Sequence, residues 1–109
     1  MTVGELRDLM SLTEISVTDP DREIGGVYCG DLLSWVMGKA QQDDAWITIM
    51  SNVNVLAVAT LADTACVILA EGVLLDADVK LTAEQKGVNV ISTDKSAYEI
   101  AKILAKANE

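Results

Sequence analysis

Apolar positions change period several times along this chain, and each change marks an element. Val3, Leu6, Leu9 and Met10 recur at helical spacing, and Thr2 with Glu5 forms the signature of a capping box ahead of them. Ile15 and Val17 alternate with polar neighbours, which predicts a strand over Glu14 to Thr18. The segment Thr18-Asp19-Pro20-Asp21-Arg22 holds the only proline and reads as loop, closed by Gly25-Gly26. Val27 to Cys29 is a second short strand. After Gly30, Asp31 is the expected N-cap of a helix whose inward stripe is Leu32, Leu33, Val36, Met37 and Ala40.

Beyond the polar turn Gln41 to Asp44, Trp46 to Met50 is a strand with a β-branched centre. Ser51 and Asn52 suit the start of the next segment, Val53 to Ala62. Its length and three alanines favour helix, although it is apolar almost all round. Ala65 to Ala70 is a continuous apolar run of the kind that fills a buried parallel strand. Asp76 to Lys86 reads as a helix with Val79 and Ala83 inward and Gly87 as its stop. Val88 to Ile91 is the last strand. Ser96 and Glu99 form a second capping box before a helix with Ala97, Ile100, Ala101 and Leu104 on its inner face; Lys102 and Lys106 suit its negative end. Strands alternate with helices from Cys29 onward. This predicts one α/β domain with a mostly parallel sheet of about five strands and helices on its faces.

Composition narrows the chemistry. The chain of 109 residues has the size of one domain, and 50% of it is hydrophobic, enough for a core without disulfides or metal. With no Phe and only Tyr28, Trp35, Trp46 and Tyr98 as aromatics, that core must be aliphatic. Seventeen acids against eight bases give a net charge of −9, which disfavours nucleic acid as a partner. Cys29 and Cys66 lie in apolar runs and read as small buried hydrophobes in a reducing compartment. There is no His, which removes the commonest general base and zinc ligand. No leader and no membrane span are expected, so the chain is expected to be cytoplasmic.

No phosphate-loop motif occurs, no nucleophile–base pair can be assembled, and Asp76 with Asp78 falls short of a cation site. No cofactor, metal or catalytic residue is expected. Ligands of open α/β sheets bind outside the carboxyl ends of the strands. Those ends carry Gly30-Asp31, Ser51-Asn52-Val53-Asn54, Glu71-Gly72 and Ser92-Thr93-Asp94, a neutral-to-acidic rim of small hydrogen-bonding groups with Arg22 and Lys95 as nearby cations. A ligand there is expected to touch Arg22, Gly30, Asp31, Ser51, Asn52, Asn54 and Thr93. A helix apolar on every side is normally covered on every side. The 53–62 helix and the off-stripe Trp35 therefore predict a homodimer, with Trp35, Val55, Val58 and Leu61 at its interface. The alternative cover for that helix is the N-terminal helix of the same chain.

Taken together, Asp21-Arg22-Glu23-Ile24-Gly25-Gly26, Gly30-Asp31-Leu32-Leu33-Ser34, Trp46-Ile47-Thr48 running into Asn54-Val55-Leu56-Ala57-Val58-Ala59, and Ser96-Ala97-Tyr98-Glu99 resemble the DRTGG domain family over nearly the whole chain. The resemblance implies a three-layer α/β/α unit similar to the N-terminal domain of HPr kinase/phosphorylase. It further implies a regulatory attachment of the kind joined to CBS-domain pyrophosphatases and phosphate acetyltransferases, rather than a catalyst. The chain departs from relatives at Asn52, where they often carry His, and at Trp35, where they carry a polar residue. The reading that results is a non-catalytic regulatory domain. It would bind a small polar effector, with nucleotides among the candidates, or a protein partner, or both. The alternative is a pure interaction or assembly module with an empty rim.

Overall fold

The computed structural model describes residues 1–10 and 13–107. The elements run α1 (Val3–Leu9), β1 (Thr13–Ser16), β2 (Gly26–Cys29), α2 (Leu33–Lys39), β3 (Asp44–Thr48), α3 (Val53–Ala62), β4 (Cys66–Leu69), α4 (Ala77–Lys86), β5 (Val90–Ser92) and α5 (Ala97–Ala107). The sheet has the order β1-β5-β4-β3-β2, with β2 to β5 parallel and β1 antiparallel beside β5.

Strands β2 to β5 are added one after another in the same direction. With right-handed crossovers, that order sends every connecting helix to one face. The core shows the result. Trp46, Val67, Leu69 and Val90 point to a layer containing Val36 of α2, Leu56 and Ala59 of α3, and Val79 and Ala83 of α4. The intervening residues Ala45, Ile47, Cys66, Ile68 and Ile91 face the other layer, with Val3 and Leu6 of α1 and Ile100 and Leu104 of α5. The fold is thus three layers, α/β/α, and its sheet core is aliphatic except for Trp46, whose indole N–H donates to the Gly30 carbonyl at 2.9 Å.

The helix ends follow local chemistry. Both capping boxes form: Glu5 N–H donates to Thr2 Oγ1 at 3.1 Å, and Glu99 N–H donates to Ser96 Oγ at 3.3 Å. Asn52 Oδ1 accepts from Asn54 N–H at 2.9 Å and caps α3, which ends at Asp63 in the left-handed region. Gly87 closes α4 with φ +70°.

Four expectations need correction. Asp31 does not cap α2; Leu32 occupies that position without a side-chain bond. The α2 stripe is only half used, because α2 lies at the edge of its layer beside α3: Val36 is fully buried, whereas Leu32 and Met37 are exposed. Cys29, at the end of the outer strand β2, is exposed, and only Cys66 is the buried thiol expected. A bulge between Glu14 and Ser16 also breaks the alternation in β1, so that Ile15 and Ser16 are both buried.

Candidate functional site

At the carboxyl edge, β4 leads to α4 on one face while its neighbour β5 leads to α5 on the other. Two adjacent chains that leave in opposite directions open a crevice between them, the usual place for a ligand in an open α/β sheet. Here the crevice is a cleft of about 420 Å³ lined by Met10, Thr13, Gly72, Leu74, Ser92, Thr93, Asp94 and Lys95. Its walls are stitched by backbone bonds: Gly72 N–H donates to Thr93 O at 2.8 Å, and Glu71 N–H donates to Lys95 O at 2.9 Å. The turn that permits this places Glu71 at φ +60° and Gly72 at φ +75°. A glycine suits the second position, because a Cβ there would also stand 3.2 Å from Asp94 Oδ1. Thr93 Oγ1 accepts from Lys95 N–H at 3.2 Å, which orients the β5–α5 turn.

The other rim residues gather at the ends of β2 and β3. Asp31 Oδ1 accepts from Thr48 Oγ1 at 2.8 Å and from Ile49 N–H at 3.0 Å. Met50 N–H in turn donates to Thr48 Oγ1 at 3.1 Å. Asp31 thereby ties the start of α2 to the β3–α3 turn, which carries Ser51 and Asn52 and leads into Asn54 in the first turn of α3. Gly30 belongs to the same knot through the Trp46 indole, and a side chain there would meet Tyr28 Cε2 at 2.9 Å. Thr93 lies two strands from β3, roughly 10 Å at ordinary strand spacing. The rim therefore comprises two neighbouring polar stations.

Arg22 does not join them. It lies at the opposite edge, where Nη2 donates to Asp43 Oδ1 at 2.8 Å, to the Asp63 carbonyl at 2.7 Å and to Asp63 Oδ1 at 3.0 Å. Partial burial opposes its charge, but the bonds it donates to Asp43 and Asp63 outweigh this and raise the Arg22 pKa above the ordinary value. The two glycines after Arg22 complete this clasp. Gly25 N–H donates to Asp43 O at 2.8 Å, and a Cβ on Gly26 would fall 2.6 Å from Asp44 Oδ1. The segment Asp21 to Gly26 thus anchors the loop before β2 to the starts of β3 and β4.

Of the residues expected at an interface, Val55 and Val58 are 1% and 5% exposed and belong to the domain's own core. Trp35 and Leu61 are outside it, 59% and 72% exposed, with the Lys39 ammonium 4.6 Å from the Trp35 ring centroid. Helix α1 packs with α5 on the far face, so it does not cover the outside of α3. The outward surface of α3 is Val53, Asn54, Ala57, Thr60 and Leu61.

Gly72, Ser92, Asp94 and Lys95 stand in the cleft beside Thr93, as their place at the strand ends suggested; Met10, Thr13 and Leu74 enter it because β5 adjoins both β4 and β1, a neighbourhood that strand composition does not encode. Thr48 was hidden within a strand pattern. Among the described residues, no group of three or more His, Cys, Asp or Glu side chains is placed to hold a metal ion, and no helix is long and apolar enough to cross a membrane.

No curated protein matches the chain. Among solved structures, it is similar to the CBS and DRTGG domains of the regulatory region of Clostridium perfringens pyrophosphatase, a structure complexed with the activator diadenosine tetraphosphate. The TM-score is 0.72 at 10% identity, over 97% of this chain. The chain spans 46% of that one, so the shared part is less than half of the region. At this identity the likeness establishes the three-layer fold. The DRTGG domain model matches residues 15–107, from the bulged edge strand through the last helix. With the Arg22 clasp, the Asp31 knot and all of the strand-end cleft but Met10 and Thr13 inside that span, the chain belongs to the DRTGG domain family.

Proposed function

We propose that this domain is a non-catalytic regulatory module that binds a small polar effector at the carboxyl edge of its sheet and works as a homodimer. The observation that carries the reading is the cleft between the diverging β4 and β5 connections, lined by three hydroxyl side chains, Asp94 and Lys95. Hydroxyls and a carboxylate suit a ribose-like polyol, and a lysine suits one phosphate. Nucleotides are therefore the first class to test, and the activator bound by the clostridial regulatory region belongs to that class. Asp31, Asn52 and Asn54 supply further polar contacts along the rim.

The absence of histidine and of any phosphate-loop motif supports a binding role over a catalytic one. Homodimerisation is supported by exposed apolar side chains on α2 and α3, namely Leu32, Trp35, Val53 and Leu61. The same patch favours a second reading, an assembly module whose rim stays empty.

Thermal unfolding in the presence of AMP, ATP and diadenosine tetraphosphate separates the two. An effector at a concentration 100-fold above its Kd stabilises the fold by about 2.7 kcal/mol. No shift with any of the three, from a protein that is dimeric, would favour the assembly reading.

A further inference from the structure

Resting on the homodimer reading above, we infer that two copies pair through antiparallel α3 helices, with Ala57 on the two-fold axis. The outward positions of α3 form a short palindrome in chemistry: Val53, Asn54, Ala57, Thr60, Leu61. Apolar residues stand at both ends, polar amide and hydroxyl groups stand just inside them, and the smallest side chain is central. The spacing of four residues from Val53 to Ala57 and from Ala57 to Leu61 keeps all three on one line of the helix.

An isologous contact requires each patch to match its own rotated copy. Antiparallel pairing about Ala57 sets Val53 against Leu61 of the partner subunit at both ends, and Asn54 against Thr60 of the partner subunit. Each end layer then holds one Val and one Leu, so the helices stay evenly spaced around the close Ala57 contact. Parallel pairing would stack Val on Val and Leu on Leu, giving one thin and one thick layer. It would also align the two helix dipoles unfavourably, whereas antiparallel neighbours attract.

Charge selects a second copy as the occupant. The chain carries −9, so two copies repel over most of their surface. Helices α2 (LSWVMGK) and α3 (VNVLAVATLA) contain no acid at all, and their only charged residue, Lys39, is engaged with Trp35. This is where like molecules can approach without like-charge contact. Trp35 on the flanking α2 extends the apolar area beside the central pair. The pairing also sets Thr60 of the partner subunit next to Asn54, at the end of α3 that borders the ligand rim, so the second copy forms one wall there.

Site-directed cross-linking in a Cys29→Ser background tests the register, with Cys66 left in the core. Val53→Cys and Leu61→Cys chains are mixed, allowed to exchange and oxidised. Cross-linked dimer is expected from the mixture and not from either variant alone. Cross-linking of Val53→Cys or Leu61→Cys with itself, or none in a protein that sediments as a dimer, would overturn the register and leave the homodimer reading standing. A monomer at ten-micromolar concentration would overturn both. Charge supplies an independent arm. Val53→Glu and Leu61→Lys should each weaken the dimer by at least tenfold, and the double variant should restore it through Glu–Lys pairs across the axis. A double variant weaker than both singles would contradict the pairing.

Discussion

Arg22 Nη2 sits 2.7 Å from the carbonyl of Asp63, the residue that ends α3 in the left-handed region. A guanidinium there meets the negative end of the helix dipole as well as the Asp63 carboxylate at 3.0 Å. The same nitrogen reaches Asp43, itself at φ +69° before β3. One arginine therefore holds two strained turns and the loop before β2 in a fixed relation, which in turn sets how α3 lies on the sheet.

Arg22→Ala should accordingly destabilise the fold by about 2 kcal/mol, the scale of losing charged hydrogen bonds from a partly buried group. Arg22→Lys should recover less than half of that, because an ammonium cannot reproduce the fork. Urea unfolding measures both. Effector affinity, measured under conditions where the variants are folded, should stay within about twofold, since the clasp lies at the opposite edge. An Arg22→Ala protein of normal stability that had lost its effector would reverse this assignment.

Two glycines should respond in opposite senses. A methyl on Gly26 would stand 2.6 Å from Asp44 Oδ1, in a carboxylate whose other oxygen is held by Gln41 N–H at 2.8 Å, so Gly26→Ala should destabilise. Gly38 lies within α2 with nothing inside 4 Å of its would-be Cβ, so Gly38→Ala should stabilise by about 0.5–1 kcal/mol. Paired thermal melts decide the matter; shifts of the same sign would contradict the close approach at Gly26.

Asp31 acts on the loop before it acts on any ligand. Asp31→Ala should cost about 1 kcal/mol of stability through the lost acceptor for Thr48 and Ile49. It should raise hydrogen-exchange rates through the β3–α3 turn. Asp31→Asn keeps one carbonyl acceptor and should fall between. Unchanged exchange at Ile49 and Met50 in the alanine variant would mean that the knot carries no constraint.

The two thiols should differ in reactivity. Burial pushes Cys66 up to about 12, while Cys29 is raised by burial and by nearby Asp31. A raised thiol pKa leaves less thiolate at neutral pH, so native protein should expose one slowly reacting thiol to a maleimide and unfolded protein two. The folded state keeps the Cys66 proton where the unfolded chain loses it. Stability contributed by this group is therefore intact below about pH 9 and lost as pH rises from there toward 12. Cys66→Ala should flatten that alkaline decline.

Much of this was legible in local sequence. The bounds of α3, both capping boxes and the Gly87 stop depend on residues within a turn of one another, and each formed as read. Alternation of strands and helices was enough for the α/β layers. What escaped depends on distant neighbours. Arg22 finds Asp43 and Asp63, 21 and 41 residues away, so composition could place it only near other loop residues. Asp31 has the residue type of a cap, but Thr48 and Ile49 compete for it across the parallel pair β2–β3. The all-round apolarity of α3 was visible, but which residues face inward was not: Val55 and Val58 went to the core once α2 and α4 flanked the helix. The cleft at Thr93 needed the antiparallel β1 beside β5, a pairing that no periodicity reports.

Backbone chemical-shift mapping during titration with AMP, ATP and diadenosine tetraphosphate tests the proposed ligand-binding edge most directly. At least one of the three should perturb Gly72, Thr93, Asp94 and Lys95 together with Gly30, Asp31 or Asn52, while Asp19, Asp63 and Lys86 at the opposite edge stay still. Perturbations confined to that opposite edge, or none from any of the three at millimolar concentration, would contradict a nucleotide sensor at the carboxyl edge of this sheet.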